Sequence, residues 1–139
     1  RVLIESPESW SASATKFKTP EDFVVSALRV VGMPTGDWPR MVMELLTRMG
    51  QPPFNPRSPA GFADDAAEWS GPDALWKRVQ AAQRLADAAP ATRTDALAAA
   101  SAVFADQFDK ETLAAIRRAE SARDALAVLM ASPAFQWRT

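Results

Sequence analysis

The chain has 139 residues, 47% hydrophobic and 24% charged, which suits one soluble globular domain and excludes a disordered or bilayer-embedded chain. Sixteen basic and 17 acidic residues nearly cancel, so no strong field draws the chain to nucleic acid or anionic lipid. Histidine, cysteine and tyrosine are absent, which removes a disulfide framework, an imidazole or thiolate metal site and a histidine-activated nucleophile.

No apolar run approaches the ~20 residues that a bilayer span needs, so no membrane span is expected. The opening Arg1-Val2-Leu3-Ile4-Glu5-Ser6 reads as the last turn of a helix. The expectation is therefore one helical domain over 1–139, forming the C-terminal fragment of a longer protein, with any targeting signal outside it. Compartment stays open. The two ends echo each other: Ile4-Glu5-Ser6-Pro7-Glu8-Ser9-Trp10 is similar to Met130-Ala131-Ser132-Pro133-Ala134-Phe135-Gln136-Trp137. Ser-Pro stops a helix because proline disfavours α geometry in the residue before it. The echo fits a repeated unit and equally two unrelated helix stops.

Composition shifts along the chain. Residues 1–72 hold all five glycines and nine of the 11 prolines, whereas 20 of the 28 alanines lie from Ala81 onward. Glycine and proline punctuate, and alanine has the highest helix propensity, so the second half should be tightly joined helices. No β-branched run alternates with polar residues, so strands are not expected. The fold class is all-α, an irregular bundle of about six helices with a long proline-rich loop between the second and third.

In chain order, Thr19-Pro20-Glu21-Asp22 starts the first helix with a capping hydroxyl, a proline in the first turn and acids at the positive end of the dipole. Phe23, Val24, Ala27, Leu28 and Val31 form its apolar face, and Gly32 closes it. The second helix starts near Pro39, with Val42, Leu45, Leu46 and Met49 inward and Gly50 beyond. Ser70-Gly71-Pro72-Asp73 opens the third and longest helix, faced by Leu75, Val79, Ala82 and Ala86, and Pro90 ends it. A fourth, from Thr92 or Thr94, carries Leu97, Ser101, Phe104 and Phe108. Asp109 caps a fifth bearing Leu113 and Ile116. Ser121-Ala122-Arg123-Asp124 opens the sixth like a capping box, with Ala125, Leu126, Leu129 and Met130 inward.

Three stretches together resemble a bacterial family catalogued as domain of unknown function 1800. They are Lys16-Phe17-Lys18-Thr19-Pro20-Glu21-Asp22-Phe23-Val24-Val25-Ser26-Ala27-Leu28-Arg29, the segment from Gly50-Gln51-Pro52-Pro53-Phe54 to Trp69, and Ser132-Pro133-Ala134-Phe135. The resemblance implies the C-terminal part of a longer protein, of a family in which export is compatible with a signal outside this chain, and carries no activity with it. Gly61-Phe62 stands where many members have Gly-Trp, which removes an indole donor, and Pro59-Ala60 departs as well.

The segment 51–69 is the most informative. Nineteen residues without periodicity exceed the ~12–15 beyond which loops tend to be functional or disordered. Its four prolines limit its freedom. Phe54 and Trp69 are the expected structural anchors, clamping its ends to the second and third helices. Arg57, Asp64, Asp65 and Phe62 are the candidate ligand or partner contacts. Asp64, Asp65 and Glu68 cluster, but lack the alternating acids of a calcium loop and read more simply as a solvated helix start, so no metal site is assigned. Ser13-Ala14-Thr15-Lys16 spells a serine-x-x-lysine motif on a loop, where its chemistry has no helix turn to act from.

At least three of Trp10, Trp38, Trp69, Trp76 and Trp137 are expected as core anchors. Arg117, Arg118 and Arg123 interleave with Glu111, Glu120 and Asp124 as a solvated face with i,i+4 pairs, not a nucleic-acid stripe. No catalytic residue and no cofactor is assigned. The expected function is a non-catalytic helical domain that packs on the remainder of its parent chain or docks another protein. The alternative is one wall of a site that the missing N-terminal part completes, with Arg57, Asp64 and Asp65 facing the cleft. Convergence of those groups on one pocket separates the two.

Overall fold

A computed structural model describes residues 16–32, 34, 36–90, 95–96, 98 and 109–138. Local signals set each helix start. In α1 (Pro20–Val31), Thr19 Oγ1 accepts from the Asp22 N–H at 3.2 Å while Asp22 Oδ2 accepts from the Thr19 N–H, so two orphan donors are satisfied reciprocally. Gly32 closes α1 at φ 81°, a conformation open to glycine, and its N–H reaches Leu28 O. Helix α2 (Trp38–Arg48) begins one residue before Pro39, where Asp37 Oδ1 accepts from the Arg40 N–H.

A single-turn helix, α3 (Ala66–Trp69), lies inside the stretch read as loop. Helix α4 (Pro72–Asp87) follows with proline in its first turn. Ala96 and Ala98 are helical, and Asp95 Oδ1 accepts from the Ala98 N–H at 2.8 Å; Leu97, Ser101, Phe104 and Phe108 of the expected fourth helix lie outside the described residues. Helices α5 (Lys110–Arg118) and α6 (Ala122–Ala131) start at the expected caps, Asp109 and Ser121. The bond from the Thr112 N–H holds the Asp109 carboxyl below its usual range. Ser132 caps a last turn, α7 (Pro133–Gln136). The other half of the terminal echo, residues 4–10, lies outside the described residues.

Two short strands join what the helices leave apart. Lys16–Phe17 (β1) pairs antiparallel with Trp137–Arg138 (β2), with Lys16 opposite Arg138 and Phe17 opposite Trp137. The architecture is all-α with this one minor strip. Helix α4 packs chiefly on α6, α5 packs on α6 as well, and α1 bridges α4 and α2. Small residues (Ala81, Ala82 and Ala86 on α4, Ala125 on α6) sit at this centre, beside Leu85, Leu126, Leu129 and Met130. Phe23 of α1 meets Phe135 of α7 edge-to-face at 5.6 Å. Among the described residues no helix is long and apolar enough to cross a membrane.

One face was misjudged by periodicity. The buried stripe of α4 is Arg78, Ala81, Ala82, Leu85 and Ala86, while Leu75 and Val79 sit a row away and remain 40% and 43% exposed. Trp69 is buried and Trp38 half-buried, whereas Trp76 and Trp137 are 60% and 40% exposed; Trp10 lies outside the described residues. Arg117, Arg118 and Arg123 are exposed, and among the described residues no ion pair joins them to the neighbouring acids; Asp124 accepts from Ser121 Oγ instead.

Candidate functional site

The loop from Gln51 is fixed at both ends, though not by the expected pair of rings. At one end Gln51 is buried: its backbone N–H donates to Leu46 O, and its Oε1 accepts the Glu21 N–H at 2.8 Å, capping an orphan donor of α1. At the other end Trp69 is 5% exposed, its Nε1 donating to Ala63 O at 2.9 Å and its ring lying under Gly50. Phe54, expected as the first clamp, is 100% exposed at φ 59°. The Gln51 side chain already anchors that end, and the Pro52–Asn55 turn swings Phe54 outward.

The candidate contact residues converge only in part. Arg57 and Phe62 line a polar cleft of about 450 Å³ together with Ser58, Glu68, Asp73 and Lys77. Asp64 leaves it and pairs with Lys16 Nζ on β1. Asp65 precedes α3, exposed and making no side-chain cap. Lys77 is drawn to Asp73 at 2.6 Å, one turn back on α4. Among the described residues no group of three acids could hold a metal ion.

A second cleft, which periodicity did not flag, lies between α4, the α6–α7 junction and the β strip. Its volume is about 300 Å³; Phe17, Leu75, Val79, Pro133 and Trp137 form apolar walls, and Ser70, Arg78 and Gln136 are its polar members. Phe17 and Trp137 meet edge-to-face at 5.1 Å, so strand register sets one wall. Arg78 is 2% exposed. Its guanidinium donates to Lys18 O at 2.5 Å and to Gln136 Oε1 at 3.2 Å, and lies 4.8 Å from the Phe17 ring centroid. Gln136 Nε2 donates in turn to Met130 O and Ser132 O, which fixes its amide orientation.

None of the ion pairs among the described residues includes Arg78. Burial pulls it down to about 10, against the attraction of Asp22, so it is charged at neutral pH. Lys18 is buried beside it, donating to Phe135 O at 2.7 Å over the Phe135 ring. Desolvation lowers Lys18 to about 8; Asp22 opposes that shift and Arg78 adds to it. Spacing could have revealed Arg78, since it stands three, four and seven residues before Ala81, Ala82 and Leu85 on one helical face.

The family described as Protein of unknown function (DUF1800) matches residues 1–137. The chain belongs to this family. No curated protein and no solved structure matches it. The three stretches that carry the DUF1800 resemblance meet one another in space. Lys18 from the first reaches Phe135 of the third, Gln51 of the second caps α1 of the first, and Lys16 pairs with Asp64. These contacts hold elements together, and none of them sets a nucleophile against a base.

Proposed function

We propose that this DUF1800 chain is a non-catalytic helical domain that docks a protein partner, and that the docking face spans the start of α4 and strand β2. The observation that carries the reading is a set of exposed apolar side chains, Leu75, Trp76, Val79 and Trp137, of which Leu75, Val79 and Trp137 line a mostly apolar cleft. Contiguous apolar surface, rich in aromatics, is the ordinary mark of a protein interface. That Asp64 and Asp65 do not line the polar cleft with Arg57 supports the reading further, because catalysis by carboxylates needs them to flank one substrate.

The test is retention of a partner by the protein purified from its own cells. Wild type and Arg57→Ala should retain the same partner, and Trp76→Ser/Val79→Ser should lose it without a change in thermal midpoint. Retention by the double variant would remove the basis of the reading. A second reading draws on the polar cleft: Arg57, Ser58, Glu68 and Lys77 form one wall of a ligand site. That reading gains if Arg57→Ala, and not the α4 double variant, loses a bound molecule.

A further inference from the structure

The second cleft has an unusual charge arrangement for an apolar cavity. Arg78 carries a guanidinium that is taken almost wholly out of water, yet its two hydrogen-bond acceptors, Lys18 O and Gln136 Oε1, are both neutral. A desolvated charge without a counter-charge is unfavourable, and opposite charge brought beside it recovers much of that cost. The acid whose charge acts on it, Asp22, pairs with Arg138 on β2, with Oδ1 3.4 Å from the guanidinium there. Buried Lys18 adds positive charge to the same region. The walls say what kind of anion fits. Phe17, Leu75, Val79, Ala131, Pro133 and Trp137 offer carbon surface, which suits an apolar body and disfavours a strongly hydrated dianion.

We infer that this cleft binds a carboxylate borne on a small apolar or aromatic body, with the carboxylate at the Arg78–Gln136 end and the body against Phe17, Val79 and Trp137. A planar guanidinium suits a carboxylate because its donors lie in one fork, of which two of five N–H groups are engaged here. The volume of about 300 Å³ admits one aromatic ring with a short acid chain, or the last residue of a peptide. The inference rests on reading this face as a docking surface and adds the chemistry of what docks. The same carboxylate chemistry comes from a free acid or from a partner's C-terminus.

The experiment uses the full chain labelled with 5-fluorotryptophan, the Trp137 resonance being assigned through Trp137→Phe. It is titrated with 3-phenylpropionate, with 3-phenylpropanol, and with a short peptide ending in phenylalanine, as free acid and as amide. The free acids should shift the Trp137 resonance saturably and bind about tenfold more tightly than the alcohol and the amide. Val79→Trp, which fills the exposed mouth, should abolish binding and leave the thermal midpoint unchanged. Arg78→Gln should equalise acid and alcohol; if that variant does not fold, Val79→Trp and the neutral analogues decide alone. Equal affinity for acid and alcohol, a shift that survives Val79→Trp, or no saturable shift each overturns the inference. Failure here leaves the docking reading standing if the α4 double variant still loses its partner. Tighter binding of the free acid than of the peptide counts against the docking reading alone.

Discussion

Phe54 and Trp69 flank the same loop with the same kind of side chain, and only one of them is core. The difference lies in what else each end has to hold it. Gln51 satisfies both Leu46 O and the Glu21 N–H, which leaves Phe54 in solvent; at the other end the buried indole and the Lys16–Asp64 pair tie the loop down. Trp69→Ala is accordingly expected to cost about 3–5 kcal/mol in urea unfolding, while exposed Arg57→Ala costs less than about 0.5. Phe54→Gly should leave stability unchanged or raise it by up to about 1 kcal/mol, because φ 59° is strained for phenylalanine and free for glycine. A loss as large as that of Trp69→Ala would contradict the exposed placement. Lys18 gives a pH signature. Folded Lys18 releases its proton near 8 and the unfolded side chain near 10.5, so between these values the unfolded state binds more protons and stability rises with pH. Below that window both states hold the proton and the desolvation cost is fully present. Unfolding curves of wild type and Lys18→Met compared between about pH 7 and about pH 9, short of the range where Arg78 near 10 adds a rise to both, should show this rise in wild type alone; parallel curves would contradict the burial.

At the scale of elements, the readable parts are those decided within a few residues. The caps at Thr19, Asp109 and Ser121 need only a side-chain oxygen and an N–H three residues on, so spelling alone locates them. Thr19→Ala should therefore cost about 1 kcal/mol, read as a lowered urea midpoint with an unchanged slope. The rotation of α4 was legible only in part: spacing puts Arg78 on one face with Ala81, Ala82 and Leu85, but which face turns inward depends on distant partners. Apolar spacing turns Leu75 and Val79 inward, but the carbonyl of Lys18 and the amide of Gln136 reward turning Arg78 inward instead. Those acceptors lie 60 and 58 residues from Arg78 along the chain. The β1–β2 strip escaped for the same reason: two residues on each side give no alternation to read, and only the fold brings Phe17 opposite Trp137. Of the candidate site, Arg57 and Phe62 were legible as lining residues because loop composition marked them. The apolar cleft was not legible, since it is a by-product of the α4 rotation.

At the scale of the molecule, the described residues separate a packed centre from an uncovered apolar side that includes the start of α4. Helix α4 serves both, with Ala81, Ala82 and Leu85 against α6 and with Leu75, Trp76 and Val79 left to the outside. The motif residues of the family tie β1, the loop and α7 around this helix, and so hold the uncovered side in a fixed shape. Preorganisation of that kind lowers the ordering cost of binding. The most direct measurement places a photo-crosslinking residue at position 76 or, in a separate chain, at position 57, and illuminates each in the cells that make the protein. The docking account predicts an adduct from position 76 that maps to one segment of one partner and disappears when Val79→Glu is added. Adducts from position 57 with none from 76, or adducts from 76 indifferent to Val79→Glu, would contradict it.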